Sequence, residues 1–215
     1  MNDFRVICYY SKEDQAYLAF APDYPGCVAD GKTPEEAHEE LGTVLNMWLE
    51  VAKEDGVPLP AYRDETLETA AIEDVAHYIL SRTGTISTMA LQKLLYYSLA
   101  WSLAWYGKPL FDGRFQAWKD GPVNYKIFKI KQGSRTISGS DIRSYNEIDS
   151  VQKRIVDNVI EVYGREDGKW LSDLTHDEKP WKISREGLPD GASSDREISN
   201  DVIEDYYKSL IRGMV

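Results

Sequence analysis

The chain has 215 residues, with 25 Lys and Arg against 36 Asp and Glu, a formal net charge of −11 and 42% hydrophobic residues. Such a length allows one large domain or two small ones, and such a charge argues against a chain built to hold nucleic acid, because counterion release needs clustered Lys and Arg. No apolar run is long enough to cross a bilayer, and Met1-Asn2-Asp3-Phe4-Arg5 lacks the basic stretch and apolar run of a leader, so the sequence reads as a cytoplasmic protein.

The charge is uneven. Residues 1 to 64 hold five Lys and Arg against thirteen Asp and Glu, a net of −8; the remainder holds twenty against twenty-three, a net of −3. Gly56-Val57-Pro58-Leu59-Pro60 separates the two, since its prolines have no amide to give a helix or a central strand. The boundary predicts two domains, 1–64 and 65–215. A core of about 60 residues is near the lower limit for independence, which predicts packing on a partner or a second copy. Its acidic face suits a basic protein surface and repels phosphate.

In the first module, Phe4–Tyr10 and Ala16–Ala21 are β-branched and aromatic runs joined by the polar Ser11–Gln15, which predicts a hairpin. Pro22-Asp23-Tyr24-Pro25-Gly26 reads as a rigid corner, and Cys27–Asp30 as a third short strand ending at Gly31. Asp14, Asp23 and Asp30 lie in or beside turns and read as solvated turn acids rather than metal ligands. Cys8 and Cys27 read as buried thiols of a reducing compartment, with a disulfide between neighbouring strands as the alternative. Thr33-Pro34-Glu35-Glu36 carries a capping residue, a proline at the first helical position and Glu at the third, and Ala37, Leu41, Val44, Leu45, Trp48, Leu49 and Ala52 follow at helical spacing.

These residues resemble a family. Tyr17-Leu18-Ala19, Pro22-Asp23-Tyr24-Pro25-Gly26-Cys27, Gly31-Lys32-Thr33 and Glu36-Ala37 are similar to the HicB antitoxin module. The resemblance implies a β-β-β-α core of reduced ribonuclease H type, homo-oligomerisation through the small sheet, and neutralisation of a small basic RNA-cleaving toxin. Members of that family ordinarily follow the core with a DNA-binding segment, and this chain departs from them there.

After the boundary, residues 65 to 82 read as a helix with Ile72, Val75, Ala76, Ile79 and Leu80 inward, stopped by Gly84. Ser87 caps the next helix, which runs to Gly107 and is apolar on more than one side, so it reads as the centre of the domain. Its aromatic residues Tyr96, Tyr97, Trp101, Trp105 and Tyr106 read first as core, with some of them as interface anchors. Phe115–Trp118 reads as extended, Gly121-Pro122-Val123 as opening a helix that contains Tyr125, Ile127, Phe128 and Ile130, and Gln132–Ser140 as a polar loop. Asp149 with Gln152 caps a helix ending at Gly164, and Ser199 starts the last one. Residues 108 to 143 hold eight Lys and Arg against three Asp, a net of +5, in which Lys126, Lys129 and Arg135 are candidate contacts for phosphate or for an acidic partner.

Leu91-Gln92-Lys93-Leu94-Leu95-Tyr96-Tyr97, Gly107-Lys108-Pro109-Leu110-Phe111, Ala117-Trp118-Lys119-Asp120-Gly121-Pro122-Val123 and Leu171–Trp181 together resemble the Panacea, or SocA-like, antitoxin domain. The expected class is therefore α+β: a small N-terminal β-β-β-α module followed by a mainly α-helical Panacea domain. The resemblance implies a type II antitoxin of bacterial or phage origin that binds a toxin encoded nearby, with phage defence among its settings. One branch of the family resembles a proteolytic adaptor that delivers the toxin to an ATP-dependent protease. Candidate toxin contacts are Trp118, Gly121, Pro122, Val123, Thr175, His176, Glu178, Pro180 and Trp181.

Two rival classes have one feature each. The basic stretch would serve a DNA-binding autoregulator of the operon. His176 beside Asp177 and Glu178 would serve an enzyme, but no Ser, Cys or Lys nucleophile is tied to it by spacing, and a histidine whose hydrogen bonds fix the Pro180-Trp181 turn against Trp118 is the better reading. His38 and His77 have no ligand at i+3 or i+4, so neither a metal nor another cofactor is expected.

Overall fold

The computed structural model of the chain describes residues 4–58 and 66–211, which fall into two compact units, residues 4–58 with 208–211 and residues 66–207. In the first, the β-branched and aromatic run becomes β1 (Ile7–Ser11), paired antiparallel with β2 (Ala16–Phe20) so that Ser11 faces Ala16. The turn between them is held by the Ser11 hydroxyl, which donates to the Asp14 carboxylate at 2.6 Å. β3 (Val28–Gly31) completes the sheet in the order β1-β2-β3. The proline corner before it is closed by the Tyr24 amide on the Ala21 carbonyl (2.8 Å) and the Cys27 amide on the Tyr24 carbonyl (3.0 Å). Asp23 is not the solvated turn acid expected: its carboxylate is buried 4.0 Å from the buried Arg5 guanidinium. Cys8 and Cys27 are free, buried thiols.

Gly31 is where strand turns into helix. A Cβ there would stand 2.3 Å from the Ala37 amide nitrogen, closer than any side chain permits. Thr33 caps α1 (Pro34–Glu54) through its hydroxyl on the Glu36 amide at 3.2 Å, but the Glu36 carboxylate accepts from the Lys32 amide, one residue before the position a full capping box uses. α1 packs on β2 and β3, burying Ala37, His38, Leu41, Leu45 and Ala52 and leaving Val44, Trp48 and Leu49 half-buried. Of the boundary segment, Leu59 and Pro60 lie outside the described residues.

In the second unit the first helix, α2 (Ile72–Thr83), starts seven residues later than its periodicity predicts; Glu65 lies outside the described residues. The backbone before it is engaged elsewhere: β4 (Ala70–Ala71) runs parallel to β6 (Phe111–Asp112), and the Ala70 amide donates to the Leu110 carbonyl at 2.9 Å. β5 (Ile86–Ser87) leads into α3 (Thr88–Tyr106), where the Ser87 hydroxyl accepts the Ala90 amide, and Gly107 ends the helix in the left-handed region at φ 63°. Every residue from Ala90 to Ala104 is buried, so α3 is the axle of the unit. Around it lie α2, α5 (Ser150–Tyr163) and α6 (Gly168–Asp177). Tyr97 stacks on Tyr163 at 4.3 Å and Trp101 meets Tyr207 edge-on at 5.1 Å, geometries that contribute about 0.5–1.5 kcal/mol beyond burial.

β7 (Phe115–Trp118), β8 (Gly121–Val123) and β10 (Glu197–Ile198) form a sheet in the order β10-β7-β8. Gly121-Pro122-Val123 is thus a strand, not the start of a helix; Pro122 is tolerated because β8 lies at the sheet edge. The helix, α4 (Tyr125–Ile130), begins later, with the Asn124 side chain accepting the Ile127 amide at 3.1 Å. The polar stretch expected as loop contains β9 (Thr136–Ile137), antiparallel to β5, and a short 3-10 turn, Gly139–Asp141, capped by Ser138. Asp149 and Gln152 form the expected capping box of α5. Leu171–Trp181 resolves into α6 and α7 (Lys179–Ser184), hinged at Glu178, and α8 (Asn200–Leu210) follows Ser199. The architecture is the mixed α+β class, a three-stranded sheet with one helix followed by a mainly helical region.

Candidate functional site

The tip of the β7–β8 hairpin, Trp118-Lys119-Asp120-Gly121, is the point where α3, α6 and α7 converge. Trp118 pairs with Gly121 across it. Gly121 has φ 97°, and a Cβ there would lie 2.7 Å from Lys93 Nζ and 2.7 Å from Thr175 Oγ1, so both its conformation and its surroundings require glycine. Lys93, in the middle of α3, is fully buried and donates to the Asp120 carbonyl at 2.7 Å and the Pro122 carbonyl at 3.2 Å. Burial pushes its ammonium down to about 7, with the Asp120 carboxylate pulling the other way.

Other helix side chains hold the remaining hairpin carbonyls. Ser172 donates to Asp120 O (2.8 Å), Thr175 braces Ser172 O (2.8 Å), the Trp181 indole donates to Trp118 O (2.8 Å) and Arg185 to Ala117 O (2.7 Å). Gln92 completes the clamp, its amide donating to Asn124 O at 3.2 Å while its carbonyl accepts the Asn124 amide at 2.8 Å. Each such bond contributes on the order of 1 kcal/mol, and losing one partner of a buried pair costs more.

The nine predicted contacts do not all gather at the hairpin tip, and they do not play one part. Gly121, Pro122, Val123, Thr175, Glu178 and Pro180 are buried, whereas Trp118, His176 and Trp181 are half-buried and reach the surface. His176 stacks on Trp181 at 4.1 Å and 23°, and its Nε2 has no hydrogen-bond partner. The turn against Trp118 is fixed by the Trp181 indole, not by histidine hydrogen bonds as expected. Burial, then the Lys93 charge, lowers the His176 pKa, with Asp173 and Asp120 opposing. Ser172 and Thr175, its nearest hydroxyls in sequence, are both spent on backbone carbonyls.

Glu178 points the other way, into the core. Tyr207 donates to its carboxylate at 2.7 Å and Tyr97 at 3.5 Å, and its other oxygen has no hydrogen-bond partner among the described residues. Burial pushes the carboxyl up to about 8, with the two tyrosine hydrogen bonds drawing it back. The basic residues also divide. Lys126 is paired with Glu73 at 2.5 Å; among the described residues Lys129 reaches only the Gln132 side chain (3.2 Å) and lies over the Tyr125 ring, and the exposed Arg135 has no carboxylate partner. Among the described residues, no group of three His, Cys, Asp or Glu is placed to hold a metal ion, and no helix is long and apolar enough to cross a membrane.

Sequence reasoning did not single out Lys93, Gln92, Ser172, Asn124 or Arg185. Two of them had a signal. A lysine and a glutamine inside a helix otherwise apolar all round must be satisfied internally, and carbonyls of a packed hairpin are what such donors seek.

Residues 91–182, which contain all of this clamp except Arg185, match the family model described as antitoxin SocA-like, Panacea domain. Over that stretch the chain is similar to the antitoxin SocA-like Panacea domain. It is 29% identical over 151 residues to "Antitoxin SocA" of Caulobacter vibrioides (strain NA1000 / CB15N), a stretch covering 62% of this chain and 80% of that protein. A second similarity, 37% over 59 residues, is to "UPF0150 protein ssl0259" of Synechocystis sp. (strain ATCC 27184 / PCC 6803 / Kazusa), covering 27% of this chain and 81% of that protein; over that stretch the chain belongs with the UPF0150 proteins. No solved structure matches the chain.

Proposed function

We propose that the protein is an antitoxin that neutralises a cognate protein toxin by stoichiometric binding, as in type II toxin–antitoxin pairs. The observation that carries this reading is the similarity to antitoxin SocA along 80% of that protein, beside which three of the four motifs, Leu91–Tyr97, Ala117–Val123 and Leu171–Trp181, meet at one clamped hairpin. In this reading the second unit is the toxin binder and acts sterically, covering the toxin with the half-exposed Trp118, His176 and Trp181 and the surface beside them. The first unit is a HicB-like module that supplies oligomerisation or a second contact, the net of −8 over residues 1 to 64 suiting a basic partner.

Co-expression tests the proposal. Each product of the neighbouring reading frames is induced alone and with this chain. The expected result is one product that stops growth alone, is tolerated with this chain, and co-purifies with it at a fixed stoichiometry; if no neighbour is toxic, or if rescue occurs without a complex, the reading fails.

A further inference from the structure

A groove of about 180 Å3 opens beside the hairpin, between α3, α4 and β9, and Gln92, Lys93, Trp118, Asp120 and Val123 of the hairpin and its clamp line part of it. Its walls are mostly apolar, with Leu91, Val123, Ile127, Phe128, Ile137 and Trp118 among them, and Gln92, Lys93, Asp120 and Lys131 supply polar groups. Trp118 meets Phe128 edge-on at 4.8 Å, and Tyr125 and Ile130 on the same short helix are exposed. The space is on the scale of side chains rather than of a cofactor, whose clefts run to ~300–1,000 Å3. Lys129 and Arg135 follow the lining residues Phe128 and Ser134 in a chain of net −11, and Asp120, a carboxylate that itself lines the groove, is paired with Lys119 at 3.8 Å. Of four cations on α4 and the loop after it, Lys126 and Lys131 are neutralised by Glu73 and Asp141, which leaves Lys129 and Arg135 with no carboxylate among the described residues.

We propose that this groove is a docking site for a short segment of the partner protein that carries one or two large apolar side chains bracketed by Asp or Glu. The identity of the partner as a toxin rests on the antitoxin reading; the chemistry of the segment does not. Apolar walls take the side chains out of water, and the two unpaired cations select the flanking charge and repel a basic segment. Nucleic acid fits less well, because two free cations release few counterions and the walls are apolar side chains rather than an open stacking face.

The test is a phage-displayed dodecapeptide library panned on the full chain, followed by fluorescence polarisation of the enriched peptides on three proteins. The first is wild type. The second, Ser134→Trp, fills the groove from its rim; the third, Lys129→Glu with Arg135→Glu, changes two exposed residues that have no carboxylate partner, and circular dichroism melting checks that both fold. Enriched peptides are expected to carry large apolar residues flanked by Asp or Glu, and to lose at least tenfold in affinity on each variant. The double variant is expected to prefer the same peptides with Lys in place of the acids. Absence of enrichment, enrichment of basic peptides, binding unchanged by Ser134→Trp, or binding of a fluorescein-labelled RNA dodecamer in place of peptides would overturn the proposal. Neutralisation without any peptide preference sinks the groove alone, and peptide binding with no toxic neighbour sinks the antitoxin reading alone.

Discussion

Replacing Glu178 with glutamine will remove one limb of the protein's stability–pH profile. The wild-type carboxyl is fully buried among Tyr97 and Tyr207, with its folded pKa pushed from 4.5 to about 8 by burial. Between those two pH values the folded form holds a proton that the unfolded form has released. Stability from this group is therefore complete below 4.5, falls as pH rises, and is lost once pH passes about 8. At about 1.4 kcal/mol per pKa unit the loss is on the order of several kcal/mol, a large part of a typical domain's stability. Lys93 acts in the opposite sense. Its folded pKa of about 7 lies below the unfolded 10.5, so its contribution improves from pH 7 upward. His38 and His176, both lowered chiefly by burial, add a rise with pH on the acid side of 6.5, and Tyr96, Tyr97 and Tyr207, all raised well above 10, destabilise the fold above pH 10. The clean quantity is thus the difference between wild type and Glu178→Gln in urea unfolding, followed by tryptophan fluorescence from pH 5 to 9.5. The variant is expected to match wild type near pH 5 and to exceed it by several kcal/mol at pH 9. Parallel curves across the whole range would refute the placement of a neutral carboxyl in this core.

Two further outcomes follow from the geometry. Gly121→Ala places a Cβ 2.7 Å from Lys93 Nζ and Thr175 Oγ1 at φ 97°, and should destabilise the second unit by at least about 2 kcal/mol, read as a fall in melting temperature; a variant with unchanged melting would mean that the hairpin tip is not clamped as described. Cys8, its thiol pushed up to about 12 by burial and then by Glu35, and the buried Cys27 should resist a thiol reagent at pH 8 in native protein and react fully in urea; rapid native labelling would contradict the packing of the first sheet.

Elements whose signals are local were legible in the sequence. The Ser87, Asn124, Thr33 and Asp149 positions cap helices through their own side chains, and of these only Asn124 went unread, because proline and glycine before it imitate a helix start. What was not legible depends on partners distant in sequence. Ala70-Ala71 leaves a helical pattern because Phe111-Asp112 takes it as a strand, 41 residues away in register. Asp23 looks like a turn acid until Arg5 is brought beside it. In the same way, a motif scan finds Glu178 and Trp181 three residues apart, but only the α6–α7 hinge sends one into the tyrosine core and the other out to the hairpin.

That divergence changes what the motifs mean. Lys93, Gly121, Thr175 and Glu178 lie in the segments that carry the resemblance, yet their side chains are consumed by the fold, holding a hairpin tip and a buried carboxyl. The surface next to them, Tyr125, Phe128, Lys129 and Arg135, lies outside those segments and is committed to little else. A domain arranged like this separates the residues that make the platform from the residues that would choose the partner. Substitutions of the first kind should cost stability and binding together, whereas substitutions of the exposed Tyr125, Lys129 and Arg135 should alter partner preference with the melting temperature unchanged. A fixed clamp with an adjustable neighbouring face is a physical basis on which one fold can serve partners of different chemistry.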